Sequence, residues 1–329
     1  MLARLVAVVA AVAMVVGAVA LRSRLDEDEE RSATVLRLAC STELAPACRE
    51  LAAADGRLQV SVETAGTTAE RVAGAAADTG FDGWLVAGPW PTFVAETRQR
   101  AGRDALLETG PVLARSPIGL LVWPDRAAVL TPRCGGTIDW RCLGEVAGTR
   151  WSDFGGPEPW GPVKPGHPPI ETAEGLAVVA AATVGFFGRS DVSRVDLGND
   201  GYREWLARLE RNLGGRPVAP VEAMLLQGPA AFDAVGAIEA VAAPLLDRSA
   251  RADKPTAIYP SPMATADVVL GTMPGRAGEL LVELVSGGTG RTALLRNGWR
   301  PADAPDAASA LPAAGVLDAI REVVGEVVR

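Results

Sequence analysis

The stretch Val35-Leu36-Arg37-Leu38-Ala39-Cys40-Ser41-Thr42-Glu43-Leu44 decides the fold class. Its first five residues are short and apolar with little alternation, which suits a strand buried inside a sheet. Ser41, Thr42 and Glu43 then interrupt it with hydroxyl and carboxylate side chains. A helical spacing follows through Leu44, Cys48, Leu51 and Ala52. Strand, polar turn and helix in that order open an α/β unit. The rhythm repeats downstream: Leu58-Gln59-Val60-Ser61-Val62 alternates as a strand, residues 68–77 are helical, and Gly83-Trp84-Leu85-Val86-Ala87 is a third strand. That strand ends in Gly88-Pro89-Trp90-Pro91, a stiff loop carrying an aromatic ring, before a helix expected over 92–101.

At residues 112–123 the pattern changes to one long β-rich segment broken by Ser116-Pro117. Proline removes a ladder donor and holds its predecessor extended, so a strand passing from one lobe to another is expected to bend there. Residues 133–142 read as a turn region bracketed by cysteines, and 155–169 as a loop dense in Gly and Pro. Glu171-Thr172-Ala173-Glu174-Gly175 opens a helix over 176–187, with Thr172 as its N-cap. A helix terminus pointing into a cleft offers unpaired N–H groups to an anion. Residues 202–213 form an amphipathic helix with Trp205, Leu206 and Leu209 on one face, and 232–241 are expected, as strand or helix, at the return crossing. Strands are expected at 257–260 and 266–270, helices at 275–285, 289–297 and 316–328, and a loop at 302–312.

Residues 5–21 are an apolar run without charge, flanked by Arg4, Arg22 and Arg24. The run has the length of a short membrane span. It also ends in Ala18-Val19-Ala20, the small-residue pattern of a secretory cleavage site. Either way the folded part is exported; a single-pass anchor is preferred, because a polar tether follows directly. Residues 22–33 contain Asp26-Glu27-Asp28-Glu29-Glu30, a block of like charge that reads as a solvated spacer. Four cysteines in an exported chain imply disulfides, and the two local pairs are Cys40 with Cys48 and Cys134 with Cys142. Each pins a loop–helix junction rather than joining lobes.

With 329 residues the chain is long enough for two lobes. A net charge of −8 and the absence of any Lys/Arg cluster exclude nucleic acid as a partner. A single histidine, His167, rules out a three-His zinc site, and no metal or other cofactor is expected. No Gly-x-Ser-x-Gly motif is present, so a hydrolase built on Ser41 or Ser116 is the disfavoured reading and the chain is expected not to be an enzyme. His167, in a Pro-rich loop, is expected at the surface.

Several segments together resemble the substrate-binding domain of type 2 periplasmic binding proteins, and most of all the membrane-tethered actinobacterial set in which this domain accompanies a von Willebrand factor A domain. They are Ala39-Cys40-Ser41-Thr42-Glu43-Leu44, Gly83-Trp84-Leu85-Val86 with Pro89-Trp90, Ala114-Arg115-Ser116-Pro117, Glu171-Thr172-Ala173-Glu174-Gly175-Leu176, Ala257-Ile258-Tyr259-Pro260 and Gly298-Trp299-Arg300-Pro301. The resemblance implies an α/β, two-lobed clamp, with lobe one at 34–115 plus 255–329 and lobe two at 116–254. It implies an extracellular protein that captures a small molecule for uptake or sensing, alongside an ABC permease or another envelope protein. A scaffold that kept the fold without a small ligand is the alternative. The ligand contacts it implies are Ser41, Thr42, Glu43, Trp90, Ser116, Glu171, Thr172 and Tyr259. A carboxylate at Glu171 repels an anion in the same pocket, which disfavours a simple oxyanion.

Overall fold

The opening stretch folds as its pattern requires, into β1 (Leu36–Ser41), a short 3-10 turn over Thr42–Leu44 and helix α1 (Ala45–Ala54). The computed structural model describes residues 34–304 and 309–328, together with Arg22. The apolar run at 5–21 and most of the acidic spacer lie outside the described residues, among which no helix is long and apolar enough to cross a membrane.

Two further strand–helix units follow: β2 (Leu58–Glu63) with α2 (Ala65–Gly74), and β3 (Gly83–Ala87) with α3 (Trp90–Arg100). β1 pairs in parallel with both β2 and β3 and is buried between them, which is why its sequence is apolar without alternation. Arg98, buried in α3, donates to the carbonyls of Val72 (2.9 Å) and Ala75 (2.7 Å) and so satisfies the open end of α2.

After the short β4 (Glu108–Thr109) comes β5 (Ala114–Val122), the strand that two sheets share. Its first half, Ala114–Pro117, pairs antiparallel with β9 (Ala264–Thr272). Its second half pairs with β7 (Ala234–Ile238) on one side and β8 (Thr256–Ile258) on the other. The change of partners falls at Ser116-Pro117, where the sequence places the crossing.

Between those strands lie α4 (Pro124–Arg133), α5 (Trp140–Val146), β6 (Pro165–Gly166), α6 (Ala173–Phe187), α7 (Asp200–Arg211) and α8 (Pro220–Gln227). Residues 133–142, expected as a turn, hold the end of α4 and the start of α5, with Cys134–Cys142 bonded across the bend. The loop at 155–169 is fastened by an aromatic clasp. The Arg126 guanidinium lies 3.4 Å from the Trp160 ring centroid, and its Nε donates to the fully buried Asp233 at 2.7 Å.

Residues 232–241 are not the return crossing. Five of them form β7, buried on both faces within the second sheet, and Glu239 begins α9 (Glu239–Arg248). β8 is still paired with β5 in that sheet, so the chain rejoins the first sheet only at Ala264, through residues 259–263. The remaining elements are α10 (Arg276–Ser286), α11 (Gly288–Arg296), β10 (Arg300–Pro301), β11 (Ser309–Ala310) and α12 (Ala314–Val327). The path of strands is β2-β1-β3-β9-β5-β7-β6.

Two helices join the halves, α6 packing on both sheets and α12 on helices of each half. α6, apolar on nearly every face from Ala173 to Val184, packs on β7 and also on β3, β5 and β9. α12 packs on α3 at one end of its face and on α6 and α7 at the other. Its Asp318 accepts from Arg100 on α3 (3.1 Å) and lies within 3.9 Å of Arg194, beyond α6.

Candidate functional site

In a parallel α/β sheet the carboxyl ends of the strands are where polar groups gather, because chain turns there expose backbone donors and short side chains. Here those ends belong to β1 and β3. Ser41, the last residue of β1, is fully buried; its hydroxyl donates to Glu43 Oε1 and lies 3.4 Å from the Leu85 carbonyl. Glu43 Oε1 also accepts from the Ala87 amide at the end of β3 (3.1 Å). The second carboxyl oxygen, Glu43 Oε2, is buried with no hydrogen-bond partner. Burial pushes this carboxyl's pKa up, against the lowering effect of Ser41 and the backbone amides. The Cys40–Cys48 disulfide ties the end of β1 to α1 on either side of this turn.

The turn carrying Glu43 packs against the start of α6. There the helix presents Glu174, whose Oε1 accepts from the Ile238 amide at the end of β7 (3.0 Å). Burial raises the Glu174 carboxyl to about 8, and the charge of Glu43 adds to the rise. A carboxyl held by the first sheet thus lies within electrostatic reach of one held by the second. Beside them the seam is sealed by the Gly66 amide of α2, which donates to the Glu171 carbonyl at 2.8 Å. A Cβ on Gly66 would stand 3.0 Å from that same oxygen, so the close approach favours glycine.

The expected site residues are brought together only in part. Ser41, Thr42 and Glu43 stand on one side of the seam, and Glu171 and Thr172 on the other. Thr172 is the N-cap of α6 as expected, accepting from the Gly175 amide at 2.9 Å and donating to the Pro169 carbonyl at 2.7 Å, so its hydroxyl is engaged. The Glu171 side chain is exposed.

Trp90 is 1% exposed. It lies edge-on to Phe93 with the Arg321 guanidinium 5.2 Å from its ring centroid, a wedge between α3 and α12 rather than a stacking surface. Ser116 is fully buried and accepts from the Ala240 amide (2.9 Å), so it holds the first turn of α9 at the crossing. Tyr259 stands apart, 40% exposed, donating to Glu239, which Arg300 also reaches at 2.6 Å. Burial and that carboxylate both raise the pKa of its phenol. Beside it is a cavity of 290 Å³ lined by Gly119, Leu121, Ala242 and Leu246, away from the seam.

His167 is not at the surface. It is 4% exposed, with Nδ1 2.7 Å from the Pro168 carbonyl and Nε2 2.8 Å from Glu210 Oε1. Glu210 is held below its usual pKa by His167 and Arg216, in spite of burial. With both ring nitrogens engaged, this histidine serves neither Ser41 nor Ser116 as a base. Among the described residues no three or more His, Cys, Asp or Glu gather as a metal site.

Glu174 is the functional candidate that sequence reasoning did not select. Its one signal is an acid in the first turn of a helix otherwise apolar all round, and an acid there is ordinary because it complements the helix dipole.

No family model matches the sequence, and no curated protein matches it. Solved structures do match over most of the chain. The periplasmic binding protein AfuA from Actinobacillus pleuropneumoniae, determined with exogenous fructose-6-phosphate bound, is 11% identical with a TM-score of 0.59, covering 89% of this chain and 97% of that one. A periplasmic thiamin binding protein is 12% identical with a TM-score of 0.59, covering 90% and 96%. Apo FutA2 from Synechocystis PCC6803 is 14% identical with a TM-score of 0.52, covering 90% and 96%. At these identities what the chain shares with them is the fold, the two-lobed α/β architecture of periplasmic binding proteins.

Proposed function

We propose that this chain is an extracellular solute-binding protein that captures a small molecule between two lobes, for uptake or sensing. The observation that carries the reading is the seam itself: a buried carboxyl from each sheet, one with an oxygen that has no partner. An unsatisfied buried acceptor costs about 1–3 kcal/mol, and a ligand donor offsets that cost where the protein supplies none. The lobes are residues 34–115 plus 264–329 and residues 116–258, the second boundary set after β8 rather than at the expected 254/255, because β8 pairs in the second sheet. The hinge then lies at Ser116-Pro117 and at 259–263, the two places where the chain passes between sheets. Contacts come from Ser41, Thr42 and Glu43 on one side and from Glu171 on the other, with Thr172 capping the helix that carries the second side and Tyr259 at the hinge.

Residues 5–21 act as a single-pass anchor or as a signal, residues 22–33 as a tether, and an ABC permease or envelope protein is the partner. The resemblance to tethered actinobacterial proteins supports that placement. AfuA carries a sugar phosphate and another neighbour is named for thiamin, so the fold by itself accommodates ligands of opposite charge.

A second reading, a scaffold that no longer opens, has its own support. α12 lies across both lobes, with Asp318 between Arg100 and Arg194. A thermal-shift panel of oxyanions, sugars, amino acids and amines separates the two. A ligand at about 100 times its Kd adds about 2.7 kcal/mol of stability. A shift with any member supports capture, and a flat response across the whole panel supports the scaffold.

A further inference from the structure

The chemistry of the seam selects among solutes. Glu43 and Glu174 are 8% and 7% exposed, on a turn of the first sheet and a helix lying against the second. The protein gives them amides, from Ala87, Ile238 and Glu43 itself, and the hydroxyls of Ser41 and Thr42, but no cation. The charged groups on the elements packed against α6 have other neighbours: Arg115 on β5 lies 3.6 Å from Asp267 on β9, with its Nε making no hydrogen bond, Arg141 on α5 lies 3.5 Å from Glu145 and over Phe186, Arg321 on α12 lies over Trp90 and Phe93, and Asp318 takes Arg100. None of them is among the groups that shift either carboxyl. Two acids buried within electrostatic reach of each other without a counter-charge are unfavourable, and the second oxygen of Glu43 makes no hydrogen bond of normal geometry. An anion is poorly served in the same place. The start of α6 is already occupied by the Thr172 hydroxyl and the Glu174 carboxyl, and Glu171 adds a further carboxylate at the rim.

We infer that the seam binds a cationic solute, one presenting a protonated amine to Glu43 and Glu174, which act as its specificity-determining residues. This rests on the clamp reading above. An ammonium group carries donors and no acceptor, so it can satisfy the free oxygen of Glu43 and bridge to Glu174, its single positive charge compensating one carboxylate charge there. Without a cation, burial holds both carboxyls above their usual pKa, Glu174 at about 8, so a cation entering between them favours the ionised forms and releases a proton from the pair as it binds.

The test uses the full-length chain and three probes: putrescine, inorganic phosphate and glucose. Putrescine is expected to raise the melting temperature and to bind about tenfold more tightly per pH unit as pH rises towards about 8, the signature of one released proton. Calorimetry near neutral pH in buffers of different ionisation enthalpy reads that release directly on the unaltered chain. Glu43→Gln and Glu174→Gln, whose amide oxygens can still accept from Ala87 and Ile238, are each expected to weaken putrescine at least tenfold. If either variant fails to fold, the proton release decides. Putrescine binding that is independent of pH, or unchanged in the variants, overturns the inference. Binding of phosphate or glucose without putrescine also overturns it and leaves the clamp standing. No binding of any probe overturns the inference, and the wider thermal-shift panel then decides the clamp.

Discussion

Glu174 is the residue on which the chemistry of the seam turns, and its titration sets a pH dependence. Its folded pKa, about 8, is raised by burial above the value of about 4.5 in an unfolded chain, so the folded state holds a proton that the unfolded state has lost. The stability it contributes is complete below about pH 4.5 and is lost as pH rises through about 8, at about 1.4 kcal/mol per pH unit. Glu174→Gln is therefore expected to flatten the chain's stability between about pH 5 and 8, measured by urea denaturation at a series of pH values. A parallel decline in parent and variant contradicts the assignment. Ser116 makes a second residue-scale prediction. Its hydroxyl accepts from a buried amide, so Ser116→Ala leaves Ala240 unpaired and costs about 1–3 kcal/mol.

Legibility at this scale followed the surroundings of each side chain. Glu43 was readable because it directly follows a buried strand. Glu174 was not, since an acid in a first helical turn is commonplace. Trp90 sits where a stacking ring was expected, but α12, distant in sequence, covers it. His167 was misplaced for the same reason: Glu210, its partner, lies 43 residues away.

Elements built from local pattern were readable within a few residues. β3 falls on the expected 83–87, and α12 on 314–327 against an expected 316–328. The helices α4, α8 and α9 were not separated from their surroundings, because each begins at a proline or directly after an apolar strand, where short apolar segments suit either structure. Local pairing of the cysteines was readable from spacing, and both bridges close loops of 8 residues' separation. Chain entropy then assigns each bridge about 2.5 kcal/mol. Replacing Cys40 and Cys48 together by Ala is expected to destabilise the chain by about that amount, and to weaken solute binding as well, because this bridge braces the turn carrying Ser41 and Glu43. Replacing Cys134 and Cys142 is expected to cost similar stability without weakening binding; equal binding losses for both pairs contradict the placement of the site.

For the whole molecule, the division into two lobes was readable from one dipeptide, Ser116-Pro117, where β5 changes partners. The return was not, because β7 is as apolar as a crossing strand and only pairing tells them apart. How far the clamp opens depends on α12, whose ion pairs at Asp318 involve arginines about half exposed and are worth under about 1 kcal/mol. Asp318→Ala is accordingly expected to leave stability nearly unchanged.

The central claim is that the lobes close on a solute at the Glu43–Glu174 seam. The most direct measurement is the distance between spin labels at the exposed positions Glu70 on α2 and Glu204 on α7, with and without saturating putrescine. A long-distance population is expected without solute, collapsing to a single short distance when putrescine is added. The same distance distribution in both samples contradicts it.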